Sequence, residues 1–128
     1  MSQPLRILLV EDAPTDAALV EREIRKAGLD FTSQRVETRE AFLAALGEFG
    51  PHLILSDYSL PAFDGMSALR LARERAPEIP FIVITGSLNE ETAVECMKAG
   101  ADDYVLKDRL ARLEPAIRGA LEKRRLRT

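Results

Sequence analysis

Five side chains that could do chemistry stand where short apolar runs of the sequence end: Glu11, Asp12, Asp57, Thr85 and Lys107. Singly, each has an ordinary explanation, since Asp12 could cap a helix and Thr85 could be a β-branched strand residue. Together, three acids in one crevice repel one another and stay ionised only if a cation lies among them. Oxygen ligands suit a hard divalent ion. The set therefore predicts a site for Mg²⁺ (or Mn²⁺).

Asp57 comes after a short apolar run that stops at Ser56, and a carboxylate at the end of a buried strand is costly to keep without a counter-charge or a chemical role. Such a carboxylate can attack a phosphoryl group and form an aspartyl phosphate. Like-charge repulsion opposes that attack, so the metal and Lys107 would neutralise the phosphoryl oxygens. Thr85 would donate a hydrogen bond to the product. We therefore predict phosphoryl transfer to Asp57.

The elements that position these residues alternate along the chain. Five strands are predicted, each followed by a helical pattern: Leu5–Val10, Phe31–Val36, Leu53–Asp57, Phe81–Thr85 and Asp103–Leu106. The second run is the most polar, which suits an edge strand. Parallel strands need helical crossovers, so we predict a parallel sheet with helices on both faces. Ligands of such sheets bind at the carboxyl ends of the strands, where the five residues would meet.

Turn and cap residues bound the predicted helices. Pro14 begins the first helix and Gly28 ends it, Thr38 caps the second, and the third runs from about Met66 to Arg75. The spacing of Ser87, Asn89 and Glu90 is that of a capping box for the fourth helix. In the last helix Pro115 is expected in the first turn.

The composition indicates one globular domain. The chain has 128 residues, a net charge of -3 and one cysteine, Cys96. The charge favours neither nucleic acid nor a membrane surface as partner, and the apolar stretch near the start is too short for a signal peptide. We expect one domain over 1–128, a core over about 5–122 and a cytoplasmic location. The basic end, 123–128, is most simply a solvated helix terminus, although a docking role stays open.

The whole chain resembles the receiver domains of two-component response regulators. The segments LRILLVED, LSDYSLPAFDG, IVITG and GADDYVLK follow in that family's order and spacing. The resemblance implies a flavodoxin-like (CheY-like) three-layer α/β/α sandwich with strand order 2-1-3-4-5 and five helices. It also implies a phosphorelay module, not an enzyme in the usual sense, which takes its phosphoryl group from a sensor histidine kinase or a histidine phosphotransfer domain.

The resemblance implies a role for each acid of the set. Asp57 would be the phosphoacceptor. Asp12 and Asp57 would bind Mg²⁺ directly, with the backbone carbonyl of Ser59 as a further ligand, and Glu11 would act mainly through water.

It also implies how the phosphate is sensed. Thr85 and Tyr104 match the pair that couples phosphate to conformation: the hydroxyl moves toward the phosphate and the aromatic ring turns inward. Gly86 matches a position kept small beside the phosphoryl group. Ser59 and Ser87 match positions that influence the phosphate lifetime.

One departure from the family pattern follows Lys107. The family usually has a proline there, joined by a cis bond, whereas this chain has Asp108. A cis bond without proline costs about 3–4 kcal/mol, so we predict a trans bond. We also expect a reshaped loop from Asp108 to Arg112 and a shifted start to the last helix.

The face made by helix four, strand five and helix five commonly dimerises or docks an output domain in this family. Here it would present charges of both signs, which could pair across a homodimer or form an ordinary solvated surface: Glu91, Glu95, Lys98, Asp103 and Arg118.

Three other functions fit the sequence less well. An aspartate-nucleophile phosphohydrolase needs a second acid two residues after the nucleophile, where this chain has Ser59. A receiver-like module that only binds a partner usually lacks one of the acids or the lysine. A flavin-binding relative needs a phosphate-cradling loop where two acids stand. The output stays open among a stand-alone regulator, a relay intermediate and a domain of a hybrid kinase or larger regulator.

Overall fold

Five short apolar segments form one parallel sheet in the computed structural model, which describes residues 4–87 and 89–126. The strand order is β2-β1-β3-β4-β5. The strands are β1 (Leu5–Val10), β2 (Phe31–Val36), β3 (Leu53–Asp57), β4 (Phe81–Thr85) and β5 (Asp103–Leu106). Order and bounds confirm the prediction, including the polar β2 at an edge.

Helices cover both faces of the sheet. They are α1 (Pro14–Lys26), α2 (Arg39–Glu48), α3 (Gly65–Arg75), α4 (Glu90–Lys98) and α5 (Leu113–Leu126). Successive side chains of a strand point to opposite faces, so each central strand serves two core layers. Ile7 and Leu9 pack in the layer that holds buried residues of α1 and α5, whereas Leu8 and Val10 pack in the layer of α2, α3 and α4. The three-layer α/β/α sandwich is confirmed.

Two helix starts differ from the prediction. α4 is capped by Asn89, whose side chain accepts a hydrogen bond from the backbone N–H of Thr92, so the capping box based on Ser87 is wrong. That pattern also includes Leu88, which lies outside the described residues. α3 begins at Gly65, one residue before the predicted start, because Asp64 caps it by accepting the N–H of Ser67 at 2.8 Å.

The segment after β5 has the predicted trans bond, while its reshaping relative to the family stays a prediction. The bond between Lys107 and Asp108 is trans, and the chain forms a 3-10 helix over Lys107–Arg112. Inside it Arg109 leaves helical geometry, with φ -132° and ψ 47°. The start of α5 at Leu113 places Pro115 in the first turn as predicted, while a shift relative to other family members stays a prediction.

The basic end of α5 is not simply solvated. Arg124 contacts Asp102 through two hydrogen bonds, of 3.1 and 3.0 Å, and donates a third to the carbonyl of Pro77 at 2.8 Å. The side chain of Asp102 is only 1% exposed. For Arg124 the solvated-terminus prediction is therefore wrong, because this guanidinium pairs with a buried carboxylate, which Arg73 also approaches to 3.5 Å. Residues 127–128 and the side chains of 125–126 lie outside the described part.

Candidate functional site

The register of the sheet brings the candidate residues to one edge. Asp57 ends β3 opposite Ile84 of β4, so Thr85 lies one residue further along. Lys107 directly follows β5, and Glu11 directly follows β1. All strands are parallel, so these positions share the carboxyl-terminal edge of the sheet.

The three acids of the predicted metal site meet there. Glu11, Asp12 and Asp57 each offer a carboxylate oxygen, and these oxygens lie within 4.8 Å of one another. Glu11 and Asp57 are buried, whereas Asp12 is exposed. The N-cap of α1 is Ala13 and no side chain caps the helix, so the capping explanation for Asp12 is not supported. An all-oxygen donor set of this kind fits Mg²⁺ or Mn²⁺.

Lys107 is the cation of the site. Its Nζ atom lies 3.1 Å from Oε1 of Glu11, 3.1 Å from Oδ2 of Asp57 and 2.8 Å from Oδ2 of Asp16. Burial by itself would lower the pKa of Lys107, but the hydrogen bonds to these carboxylates outweigh burial and raise the pKa above its ordinary value. The ammonium therefore stays charged at neutral pH.

Asp16 is the residue that the sequence analysis missed. An acid in the first turn of a helix usually just favours that end of the helix, yet Asp16 makes the shortest of the three contacts to Lys107. Its position in the first turn of α1 is visible in the sequence. Its approach to a residue 91 positions away depends on how α1 lies beside the segment after β5.

Glu11 is the acid of the site whose charged form is disfavoured by its surroundings. Burial raises the pKa of its carboxyl group, and the nearby charge of Asp57 adds to that effect. Hydrogen bonds from the N–H of Ala13 (3.2 Å) and from Lys107 act in the opposite direction. A further cation nearby would stabilise the charged form of such a poorly solvated acid.

Thr85 and Tyr104, the predicted switch pair, meet at one atom. The backbone carbonyl of Ser87 accepts a contact of 3.5 Å from the Thr85 hydroxyl and one of 3.3 Å from the Tyr104 hydroxyl. Thr85 is buried and Tyr104 is half-buried. Both contacts are long, so either can be given up at small cost.

Three further positions shape the site. The N–H of Ser59 donates to Oδ1 of Asp57 at 3.3 Å; whether its carbonyl binds metal stays a prediction. A Cβ atom on Gly86 would meet no atom within 4 Å, so space is open beside Thr85. Gly65 has no such space, because a Cβ there would lie 2.7 Å from the backbone oxygen of Asp57.

The predicted interaction face is only partly as expected. Val94 and Met97 of α4 are half exposed, at 51% and 45%. Asp103 is already paired with Arg112 at 3.2 Å. Arg118 is wrongly placed by the prediction, because it reaches the carbonyl of Ala27 at the end of α1 and therefore lies on the α1 side of α5.

Comparison with known proteins decides the family. The family model described as the response regulator receiver domain matches residues 7–118. The chain belongs to the response regulator receiver family. This confirms the resemblance drawn from the sequence motifs and makes the protein a signalling domain of two-component systems.

Curated relatives of the receiver domain are longer than this chain. Regulatory protein LuxO of Vibrio cholerae is 33% identical over 116 residues, which is 90% of this chain and 25% of LuxO. Transcriptional regulatory protein AruR of Pseudomonas aeruginosa is 34% identical over 84% of this chain and 45% of AruR. The chain therefore spans less than half the length of these relatives.

Solved structures agree with the fold of the receiver domain. A CheY-like receiver domain protein from Methanospirillum hungatei has a TM-score of 0.84 and 25% identity, over 98% of this chain and all of that one. The Mn²⁺-bound form of response regulator Rcp1 has a TM-score of 0.72 and 30% identity, over 89% of this chain and 91% of Rcp1. Within residues 4–87 and 89–126, no helix has the length and apolar character needed to cross a membrane.

Proposed function

We propose that this receiver domain accepts a phosphoryl group on Asp57 from a phosphohistidine of a sensor histidine kinase or a histidine phosphotransfer domain. The observation that carries the proposal is the position of Asp57: a buried carboxylate at the end of β3, 3.1 Å from the Lys107 ammonium and beside two further acids. Nothing about ordinary folding requires that much charge at one point, whereas aspartyl phosphate formation does.

The transfer is a displacement at phosphorus. A carboxylate oxygen of Asp57 forms a bond to phosphorus while the P–N bond of the donor breaks, and the histidine nitrogen keeps the electron pair and takes up a proton. Lys107 and the N–H of Ser59 contact the two oxygens of the carboxylate, at 3.1 and 3.3 Å, and so hold it in one orientation. Later attack of water on phosphorus would release inorganic phosphate and restore the carboxylate.

Glu11, Asp12 and Asp57, with the carbonyl of Ser59, are the residues that would hold Mg²⁺ or Mn²⁺. The cation, when bound, neutralises charge on the phosphoryl oxygens. The spacing of the acids supports this proposal, and the Mn²⁺-bound form of Rcp1 shows that one similar receiver takes such an ion.

Thr85 and Tyr104 would pass the phosphorylated state to the surface. A threonine hydroxyl has one hydrogen to donate, so it can serve either the Ser87 carbonyl or a phosphoryl oxygen. Once Thr85 turns to the phosphate, the Ser87 carbonyl loses that contact and keeps the one from Tyr104, which weakens the hold on the segment after β4. Gly86 leaves open the space that the phosphate needs.

The half-exposed Val94 and Met97 of α4 support a homodimer through the face of α4, β5 and α5. We further propose that the domain has no independent substrate turnover, makes no direct contact with nucleic acid or membrane, and works in the cytoplasm. Ser59 at the position where a phosphohydrolase has its general acid supports the first of these statements.

Intact-mass analysis tests the acceptor. The protein is incubated with acetyl phosphate and Mg²⁺, and we expect the mass of one phosphoryl group to be added. The gain should vanish in Asp57→Asn and when Mg²⁺ is chelated, and it should persist in Asp30→Asn, a matched change at an exposed acid. Uptake that persists in Asp57→Asn, or no uptake by the wild type, would refute the proposal.

A further inference from the structure

All three N–H donors of the Lys107 ammonium group are engaged by carboxylates. It carries three hydrogens, and three carboxylate oxygens from Asp16, Glu11 and Asp57 lie within 3.1 Å of it. A phosphoryl oxygen that approaches Asp57 can therefore bind Lys107 only if one of these carboxylates gives up its contact.

The three partners are not equally easy to release. The side chains of Glu11 and Asp57 are each 8% exposed, whereas that of Asp16 is 37% exposed. A carboxylate that returns to water recovers its solvation, but a buried one does not. Asp16 also lies in the first turn of α1, where the helix dipole stabilises a free negative charge. Asp16 is therefore the partner that can leave at least cost.

We infer that Asp16 is a positioning residue that holds Lys107 in the resting domain and competes with the incoming phosphoryl group for it. The inference rests on the proposed phosphoacceptor role of Asp57. Asp16 makes the shortest contact of the three, 2.8 Å, and comes from a helix that holds no other part of the proposed machinery. It thus sets how readily the ammonium becomes available, without touching the reacting atoms.

Weakening the contact between Asp16 and Lys107 should favour binding of the phosphoryl group. In Asp16→Asn the amide oxygen can still accept a hydrogen bond from Lys107, but a neutral acceptor binds an ammonium more weakly than a carboxylate does. The position of Lys107 is kept while the competitor is weakened. We expect the apparent affinity for acetyl phosphate to rise about two- to five-fold, the range that a partly exposed ion pair supports, while the limiting rate at saturating donor changes less.

Two variants separate this role from a general effect of charge. Asp108→Asn removes one negative charge from an exposed residue next to Lys107 and should change the apparent affinity less than Asp16→Asn does. Asp16→Glu keeps the charge and should restore wild-type behaviour. A second readout, which needs no turnover, is the binding of beryllofluoride, a mimic of the phosphoryl group. The chain has no tryptophan to report binding by fluorescence, so binding is measured from the shift in melting temperature. The affinity for beryllofluoride should rise in Asp16→Asn by a similar factor.

The outcomes are distinct. Wild-type protein that takes up no phosphoryl group would overturn the proposed function, and the competition with it. If the wild type is phosphorylated on Asp57 but Asp16→Asn matches Asp108→Asn in both readouts, the role of Asp16 is refuted and the proposed function stands. The same holds if Asp16→Glu behaves like Asp16→Asn.

Discussion

Gly65 is the position where one added methyl group should disturb both the fold and the site. The helix α3 begins there, and the N–H of Gly65 donates to the carbonyl of Tyr58 at 2.9 Å. In Gly65→Ala the new Cβ would lie 2.7 Å from the backbone oxygen of Asp57 and 2.7 Å from Cα of Tyr58, where ordinary contact begins at 3.4 Å. Both neighbours are backbone atoms, so no change of rotamer relieves the clash.

The size of the effect follows from that geometry. Either α3 or the backbone after β3 must move, and overpacking of this kind costs about 1–3 kcal/mol. The higher helix propensity of alanine offsets less than about 1 kcal/mol of this loss, and less still at the first residue of a helix. We expect a net loss of about 1–2 kcal/mol, which for a domain of this size lowers the melting temperature by about 3–10 °C. Because the movement reaches Asp57, phosphorylation should also slow roughly tenfold.

Thermal unfolding and the rate of phosphate uptake measure both parts of this prediction. Gly119→Ala is the matched control, since Gly119 lies within α5 and a Cβ there would meet no atom within 4 Å. That variant should gain about 0.5–1 kcal/mol and keep the wild-type rate. If Gly65→Ala melts at or above the wild-type temperature and is phosphorylated at the wild-type rate, the close approach of α3 to Asp57 is not as described.

Two further predictions concern the opposite end of the sheet. His52 Nδ1 accepts the backbone N–H of Arg6 at 3.0 Å, and burial, followed by the charge of Arg6, lowers the pKa of His52 below 6.5. The folded state thus binds a proton on His52 less tightly than the unfolded state does. The contribution of His52 to the free energy of unfolding is therefore fully present above about pH 6.5 and is lost as the pH falls through the lowered pKa. In urea titrations between about pH 7 and pH 5, the free energy of unfolding should fall more steeply with pH for the wild type than for His52→Asn. Equal pH dependence of the two proteins would contradict the lowered pKa of His52. Arg124→Met should cost about 1–3 kcal/mol, because the buried carboxylate of Asp102 loses its two shorter guanidinium contacts and keeps Arg73, at 3.5 Å, and the N–H of Phe81. Lys123→Met at an exposed neighbour should cost little. Similar urea midpoints for these two variants would refute the role of Arg124.

The central strands β3 and β4 could be predicted to the residue because a strand buried on both faces is a largely apolar run with clear ends. β3 and β4 are buried at every position, and each ends in its functional residue, Asp57 or Thr85. Parallel pairing then leaves little choice about which edge these residues occupy. For that reason the sequence alone predicts that these residues share one site.

What the sequence could not supply depends on packing between distant elements. Asn89 and Ser87 are both good caps two residues apart, and only the path of the chain after β4 selects Asn89. Arg118 lies on α5, and which neighbour it meets depends on the packing of α5 against α1, where it binds the carbonyl of Ala27. Arg124 and Asp16 were missed for the same reason, since their partners lie 22 and 91 residues away.

The ion pairs of Lys107 also explain why the residue after it need not be proline. A proline in a cis bond would fix the chain direction at the end of β5, but here the ammonium is located by three carboxylates on separate elements. The pairing of β5 with β4 fixes the backbone just before Lys107, through Thr85 opposite Leu106. The backbone and the ammonium of Lys107 are thus each held independently of the following segment, which forms a 3-10 helix with a trans bond. With Asp108 after it, Lys107 thus still lies 3.1 Å from the Asp57 carboxylate.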